Sequence, residues 1–145
     1  MIRRIKESDI PFINEIVKNY DKDFMHHYTL DMYLDSDVYL MYLYEEDNII
    51  KGFIICNHLY EKMEILLLFV KDEFRNQGIG RKLVEYLYSL SEIITLEVSV
   101  ENYPALHLYE KLGFKEVGKR SKYYKGIDAL IMEKVIKWKM FIFYL

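Results

Sequence analysis

Cysteine is nearly absent: Cys56 stands alone in 145 residues, so no internal disulfide can form and stability must come from a packed core. Its place in Ile54-Ile55-Cys56 marks a small buried apolar side chain, and a reducing, cytoplasmic setting fits. With 2 prolines and 6 glycines, the chain is too poor in both to be collagen-like or low-complexity. No apolar run approaches the roughly 20 residues that span a bilayer. Met1-Ile2-Arg3-Arg4-Ile5-Lys6 is not followed by the apolar stretch an export signal needs. A net charge of −3 argues against nucleic acid binding by bulk electrostatics, although Lys115, Lys119, Arg120, Lys122 and Lys125 cluster late in the chain. Adjacent His26 and His27 lack a Glu or a second His at metal-binding helical spacing, so no metal is expected.

What is present suits one globular domain. The apolar fraction is 52%, swollen by 14 tyrosines, and charged residues at 30% are spread along the chain, which excludes disorder. A chain of this length buries roughly two thirds of its unfolded surface. A short strand over residues 1–6 leads to a helix capped by Ser8 and running to about Tyr20, with Pro11 in its first turn, where no amide donor is needed. A short helix is expected within residues 21–37 from the spacing of Leu30, Tyr33 and Leu34. Strands over 38–44 and 49–57 form a hairpin around Glu45-Glu46-Asp47-Asn48. The run Ile65-Leu66-Leu67-Leu68-Phe69-Val70 has no alternation, which predicts a strand over 61–70 buried on both faces. Ile79, Leu83, Leu87 and Leu90 then share a helical stripe that ends at Ser91. The strand over 93–99 alternates Thr95, Glu97 and Ser99 against Leu96 and Val98. Asn102 caps a helix that Gly113 stops, and strands over 114–119 and 127–135 close the order. The expected fold is α/β of the α+β type: one mixed sheet of about six to seven strands flanked by about four helices, spanning residues 1–136. Residues 137–145 form an apolar extension that packs on the domain or on a second copy in a homodimer.

The segment from Phe69 to Leu83 carries the most chemistry. It leads from a buried strand into a helix, whose first amides are free donors at the positive end of a dipole. Gly78 and Gly80 remove side chains that would hold a diphosphate away, and Arg75, Arg81 and Lys82 add charge. A nucleotide P-loop would need Ser or Thr after a Gly-Lys pair, and a dinucleotide fingerprint would need a third glycine where Leu83 stands. Both fail, which leaves another phosphorylated cofactor or a plain basic loop on an ordinary helix.

Arg75-Asn76-Gln77-Gly78-Ile79-Gly80 resembles motif A of the GNAT superfamily of N-acetyltransferases. The later Leu108-Tyr109-Glu110-Lys111-Leu112-Gly113-Phe114, with Asn102 opening its helix, is similar to the second hallmark of that superfamily, so the resemblance covers roughly residues 49–133. Leu96-Glu97-Val98, Arg120, Tyr123-Tyr124 and Asp128-Ala129-Leu130-Ile131-Met132 are most similar to the RimI-like enzymes that acetylate ribosomal-protein N-termini. The resemblance implies acetyl-CoA as co-substrate. Its pyrophosphate would lie against Arg75, Asn76, Gln77, Gly78, Ile79, Gly80, Arg81 and Lys82, its pantetheine beside Leu68, Phe69 and Val70, and Asn102 would bond it as well. The acceptor would be a peptide or protein N-terminus, gripped by Tyr123 and Tyr124.

An attacking amine must shed a proton and a departing thiolate must gain one. Glu97, a carboxylate in an apolar strand, is the candidate base, with Glu64 and Glu101 as rivals. Tyr109 is the acid that the resemblance implies, although its helical stripe also suits a core ring. Glu97 could equally be a solvent-facing strand residue, and Tyr123 and Tyr124 strand-edge aromatics. The stretch from Phe24 to Tyr28 departs from the aromatic, proline-containing substrate loop of RimI-like enzymes. A small-molecule amine, such as a polyamine or aminoglycoside, therefore stays open as acceptor, as does a non-catalytic acyl-CoA sensor.

Overall fold

The computed structural model describes residues 1–20, 30–124 and 126–136, with positions 20, 31, 32, 123 and 124 described in backbone only. Seven strands form one sheet: β1 (Ile2–Arg4), β2 (Tyr39–Glu46), β3 (Ile49–Leu59), β4 (Lys62–Val70), β5 (Ile93–Ser99), β6 (Lys115–Tyr124) and β7 (Ile127–Val135). Their spatial order is β1-β2-β3-β4-β5-β7-β6. All neighbours are antiparallel except β4 and β5, whose parallel pairing needs a crossover, supplied by α2 (Ile79–Tyr86). The other α-helices among the described residues are α1 (Ile10–Tyr20) and α3 (Tyr103–Lys111). The expected mixed sheet is therefore the observed one. The helix expected within residues 21–37 is, at its described end, a single 3-10 turn over Leu30–Tyr33.

Two cores lie on the two faces of the sheet. On one face α2, α3 and the turns that close them set Leu83, Leu87, Tyr109 and Leu112 against Ile94, Leu96 and Met132; the helical stripe expected to run to Leu90 passes instead into a 3-10 turn over Leu87–Ser89. On the other, α1 lays Ile10, Ile13 and Val17 over Leu43, Phe53, Ile55 and Leu67. β4 feeds both, as its unbroken apolar run predicts: Ile65, Leu68 and Val70 go to the first and Leu66, Leu67 and Phe69 to the second. That change of phase comes from a bulge. Ile55 pairs with Leu67 but Cys56 pairs with Ile65, so Leu66 is the extra residue.

The helix start at Ser8 is corrected. Glu7–Asp9 form a 3-10 turn ahead of α1, and Asp9, not Ser8, accepts from the backbone N–H of Lys6 at 2.8 Å. Asp9 also receives Arg3, at 2.8 and 3.0 Å, and Arg3 reaches Glu45 at 2.8 Å, which joins β1, β2 and the lead into α1. The Arg3 hydrogen bonds, helped by the Lys6 amide, hold the Asp9 carboxyl below the usual carboxylate range despite its burial. Because the folded form then binds this proton more weakly than the unfolded chain does, the stabilisation is present above the unfolded value. It is lost as pH falls through the folded one. Urea unfolding at pH 7 and below about pH 4 is expected to show a steep acid loss in the native chain. In Arg3→Gln the chain should be weaker at pH 7 and its acid slope shallower; equal slopes would remove Arg3 from this role.

Candidate active site

The parallel pairing of β4 with β5 is short. Lys62, Met63, Glu64 and Ile65 face Ile93, Ile94, Thr95 and Leu96, and among the described residues no pair follows. Past the Leu66 bulge the two strands separate, which leaves residues 66–70 and 97–99 as the walls of a gap in mid-sheet. The direction of the β4 amides follows from its other edge. Lys71 donates to Lys51 on β3 at 2.9 Å, and a Cβ on Gly52 would stand 2.6 Å from the Phe69 carbonyl, so Phe69 and Lys71 turn their backbone toward β3. Strand peptides alternate, so the backbone groups of Leu68 and Val70 turn into the gap. Of the three strand residues expected beside a pantetheine, Phe69 instead packs its ring on Phe53 at 5.2 Å between centroids.

The loop expected to face a phosphate is built at the mouth of this gap. Asn76 (φ 62°) and Gly78 (φ 80°) both take left-handed conformations, and Gly78 opens α2 with no side-chain cap on its first turn. Amides left uncapped at the positive end of a helix are what a diphosphate requires. Gly80 sits where three elements converge: a Cβ there would stand 3.5 Å from Leu108 on α3 and 3.7 Å from both Leu68 and Val70. Ile79 buries its side chain in the core, so only its backbone is available to a ligand. Arg75 pairs with Asp72 at 3.3 Å and reaches the Val70 carbonyl at 3.4 Å, while Arg81 pairs with Glu85 at 3.0 Å. Exposed pairs of this kind are weak, so both guanidiniums can turn to a more highly charged anion. Lys82 lies over the Tyr44 ring at 5.6 Å, and Asn76 and Gln77 are exposed.

Across the gap, Glu97 lies on β5 just past its last pair with β4, on the sheet face opposite Leu96 and Val98. Its rivals are placed differently. Glu64 is paired beside Thr95, on the closed side of the split, and accepts from Asn57 at 3.2 Å; Glu101 is exposed beyond the strand end. Glu97 keeps 20% side-chain exposure and forms an ion pair with Arg120 of β6 at 3.2 Å. In the sequence Arg120 stands out only as one of a late basic cluster and as part of the RimI-like resemblance. Its meeting with Glu97 depends on β7 being inserted between β5 and β6, which residue spacing does not reveal.

Asn102 caps α3 as expected, its Oδ1 accepting from the Ala105 amide at 3.3 Å. That bond commits one oxygen lone pair and leaves the carboxamide N–H donors for other work. Tyr109 on the same helix is 5% exposed and packs edge-on to Phe114 at 5.3 Å, so the core reading of its ring holds. Tyr123 and Tyr124 lie at the end of β6, where the register with β7 breaks between Arg120 and Tyr124. The stretch from Phe24 to Tyr28, Lys125 and the 137–145 extension lie outside the described residues.

The site is framed by a sheet split between two parallel strands, with a glycine-opened helix at its mouth, and comparison with known proteins identifies its class. Residues 9–136 match the family model described as acetyltransferase (GNAT) domain. A Bacillus subtilis (strain 168) protein assigned as a ribosomal protein bS18-alanine N-acetyltransferase is 31% identical over 144 residues, covering 90% of this chain and 92% of its own. The crystal structure of the Escherichia coli ribosomal-protein alanine N-acetyltransferase superposes with a TM-score of 0.75 at 25% identity, over 94% of this chain and 93% of that one. Arabidopsis thaliana NAA60, solved with acetyl-CoA, shares the fold with a TM-score of 0.75 at 17% identity, over 94% of this chain and 98% of its own. The chain belongs to the GNAT family of N-acetyltransferases, enzymes that draw their acetyl group from acetyl-CoA. Within that family it is similar to the RimI-like alanine acetyltransferases. No helix among the described residues is long and apolar enough to cross a membrane.

Proposed function

We propose that the protein acetylates the N-terminal α-amine of a protein, a ribosomal protein being the leading acceptor, with Glu97 as general base and Tyr109 as general acid. The observation that carries this is the gap between β4 and β5, bounded by an uncapped helix start on one side and by Glu97 on the other. Acetyl-CoA, when bound, supplies an activated acetyl thioester. The residues that would hold it are Gly78 to Lys82 through first-turn amides and cationic side chains, Arg75, the backbone of Leu68 and Val70, and Asn102.

The remaining chemistry belongs to protons. An α-ammonium has a pKa near 8, roughly two units below lysine, so a carboxylate on the gap wall suffices to take its proton. With acetyl-CoA in place, the amine nitrogen would bond to the acetyl carbon as the carbon–sulfur bond breaks; the nitrogen would shed its second proton to solvent, and the Tyr109 hydroxyl would protonate the departing sulfur and regain its proton from solvent. A strand amide turned into the gap, at Val70 or Leu68, is suited to the charge that develops on the carbonyl oxygen. Tyr123 and Tyr124, at the end of β6, would flank the incoming peptide backbone.

The acceptor is tested with peptides that begin like ribosomal proteins, set against polyamines and aminoglycosides, with released thiol as the readout. Turnover of the peptides alone is expected. Turnover of only the small amines would replace the peptide reading, and binding of acetyl-CoA without turnover of any amine would leave a sensor.

A further inference from the structure

The ion pair between Arg120 and Glu97 spans an entire strand. β5 and β6 flank β7, so their backbones stand about 10 Å apart at ordinary strand spacing. In register, Glu97 lies opposite Ile131 and Ile131 opposite Gly118; the next row is Ser99, Ala129 and Arg120. The passage from one row to the other is kept low. Ala129 offers only a methyl group opposite Arg120, and Ile131 leans over Gly118, where a Cβ would meet its Cδ1 at 3.3 Å. A long guanidinium side chain can cross there to the Glu97 Oε1 at 3.2 Å; a larger residue at position 129 would stand in its path.

The strand that delivers Arg120 is itself fixed. Immediately after Arg120, β6 bulges out of register, with Lys122 at φ 50°. Asp128 of β7 ties down both sides of this bulge, accepting from the Lys122 amide at 2.9 Å and from Lys119 Nζ at 3.2 Å. Those two bonds, the Lys122 amide first, hold the Asp128 carboxyl below its usual range, so it stays charged in this role. Arg120 is therefore launched from a pinned segment and not from a free edge.

We infer that Arg120 is a positioning residue for the acetyl-transfer step: it holds Glu97 by one carboxylate oxygen and aims the other at the acceptor amine in the gap. This deepens the proposed function and rests on Glu97 being its base. A glutamate side chain otherwise samples several rotamers, and a base displaced by about 1 Å can cost a hundredfold in rate. The planar fork of arginine fixes direction as well as charge, which a lysine does only in part.

The test is a double-mutant cycle in the full-length chain: Arg120→Ala, Arg120→Lys, Glu97→Gln and the double variant Arg120→Ala/Glu97→Gln. Each is assayed in single turnover with enzyme in excess and acetylated peptide counted by mass spectrometry, so that a rate reduced by about 10⁴ is still measured. Arg120→Ala is expected to slow acetyl transfer by about 10- to 100-fold, with Kd for acetyl-CoA unchanged. Arg120→Lys should recover part of the loss, and the double variant should be no slower than Glu97→Gln alone. An Arg120→Ala rate equal to wild type, losses that multiply in the double variant, or a loss confined to acetyl-CoA affinity would each overturn the inference while leaving the base in place. Glu97→Gln at the wild-type rate would instead bring down the base itself and the inference with it. Should Arg120→Ala fail to fold, Arg120→Gln, which keeps length without charge, takes its place in the same cycle.

Discussion

Glu97→Gln is expected to lower kcat by about 10²- to 10⁴-fold, the usual contribution of a positioned general base. The substitution keeps the size and planarity of the side chain but removes its ability to accept a proton at neutral pH. Affinity for acetyl-CoA should be unchanged, because the loop and helix start that would bind it lie across the gap from Glu97. The fold should tolerate the change too: Arg120 is half exposed, and an ion pair open to solvent contributes at most about 1 kcal/mol. Steady-state kinetics with a peptide acceptor, a calorimetric titration with acetyl-CoA and a urea midpoint together isolate the chemical step. If kcat were unchanged while folding and binding held, the proton would have to leave by another group. Glu64, two register positions back opposite Thr95 and already bonded to Asn57, would become the next candidate.

How far this site was legible depends on which physical signal each part left in the chain. β5 and β7 occupy the expected residues because their apolar positions recur with a recognisable pattern between turn residues. The stripe of Ile79 and Leu83 on α2, carried on to Leu87 in the 3-10 turn that follows, was equally plain, since 3.6-residue periodicity is a direct readout of a buried helix face. The split between β4 and β5 left no such mark. It depends on the extra residue Leu66 within six consecutive apolar positions, and a bulge in an unalternating run changes no pattern. β6 continues past its expected end at Lys119 to Tyr124 as an edge strand pinned by Asp128, a long-range contact. The first helix was misjudged for a related reason. Ser8 is a good local cap, but Asp9 gains more from Arg3 and the Lys6 amide, and Arg3 arrives from a different element. Local chemistry was readable throughout; pairings that require the strand order were not.

Gly78→Glu should reduce acetyl-CoA affinity by about three orders of magnitude, and the structure separates the two reasons. Gly78 has φ 80°, a conformation that costs an L-residue with a Cβ roughly 1–2 kcal/mol. Its missing Cβ would meet nothing within 4 Å, so no clash inside the protein adds to this strain. Gly78→Ala therefore carries the conformational cost alone, and since both the free and the bound protein would bear it, acetyl-CoA affinity should fall by less than about tenfold. Glutamate adds a negative charge at the helix start. At an effective dielectric of about 20, a carboxylate roughly 4 Å from a phosphate charge is repelled by about 4 kcal/mol, which accounts for the thousandfold loss. The same carboxylate sits favourably at the positive end of α2, which offsets part of the strain, so Gly78→Glu should be no less stable than Gly78→Ala. Calorimetric titrations and thermal midpoints on both variants test this opposition of affinity and stability. Near-native affinity in Gly78→Glu would mean that no diphosphate rests against this helix, and the cofactor would have to be sought elsewhere along the gap.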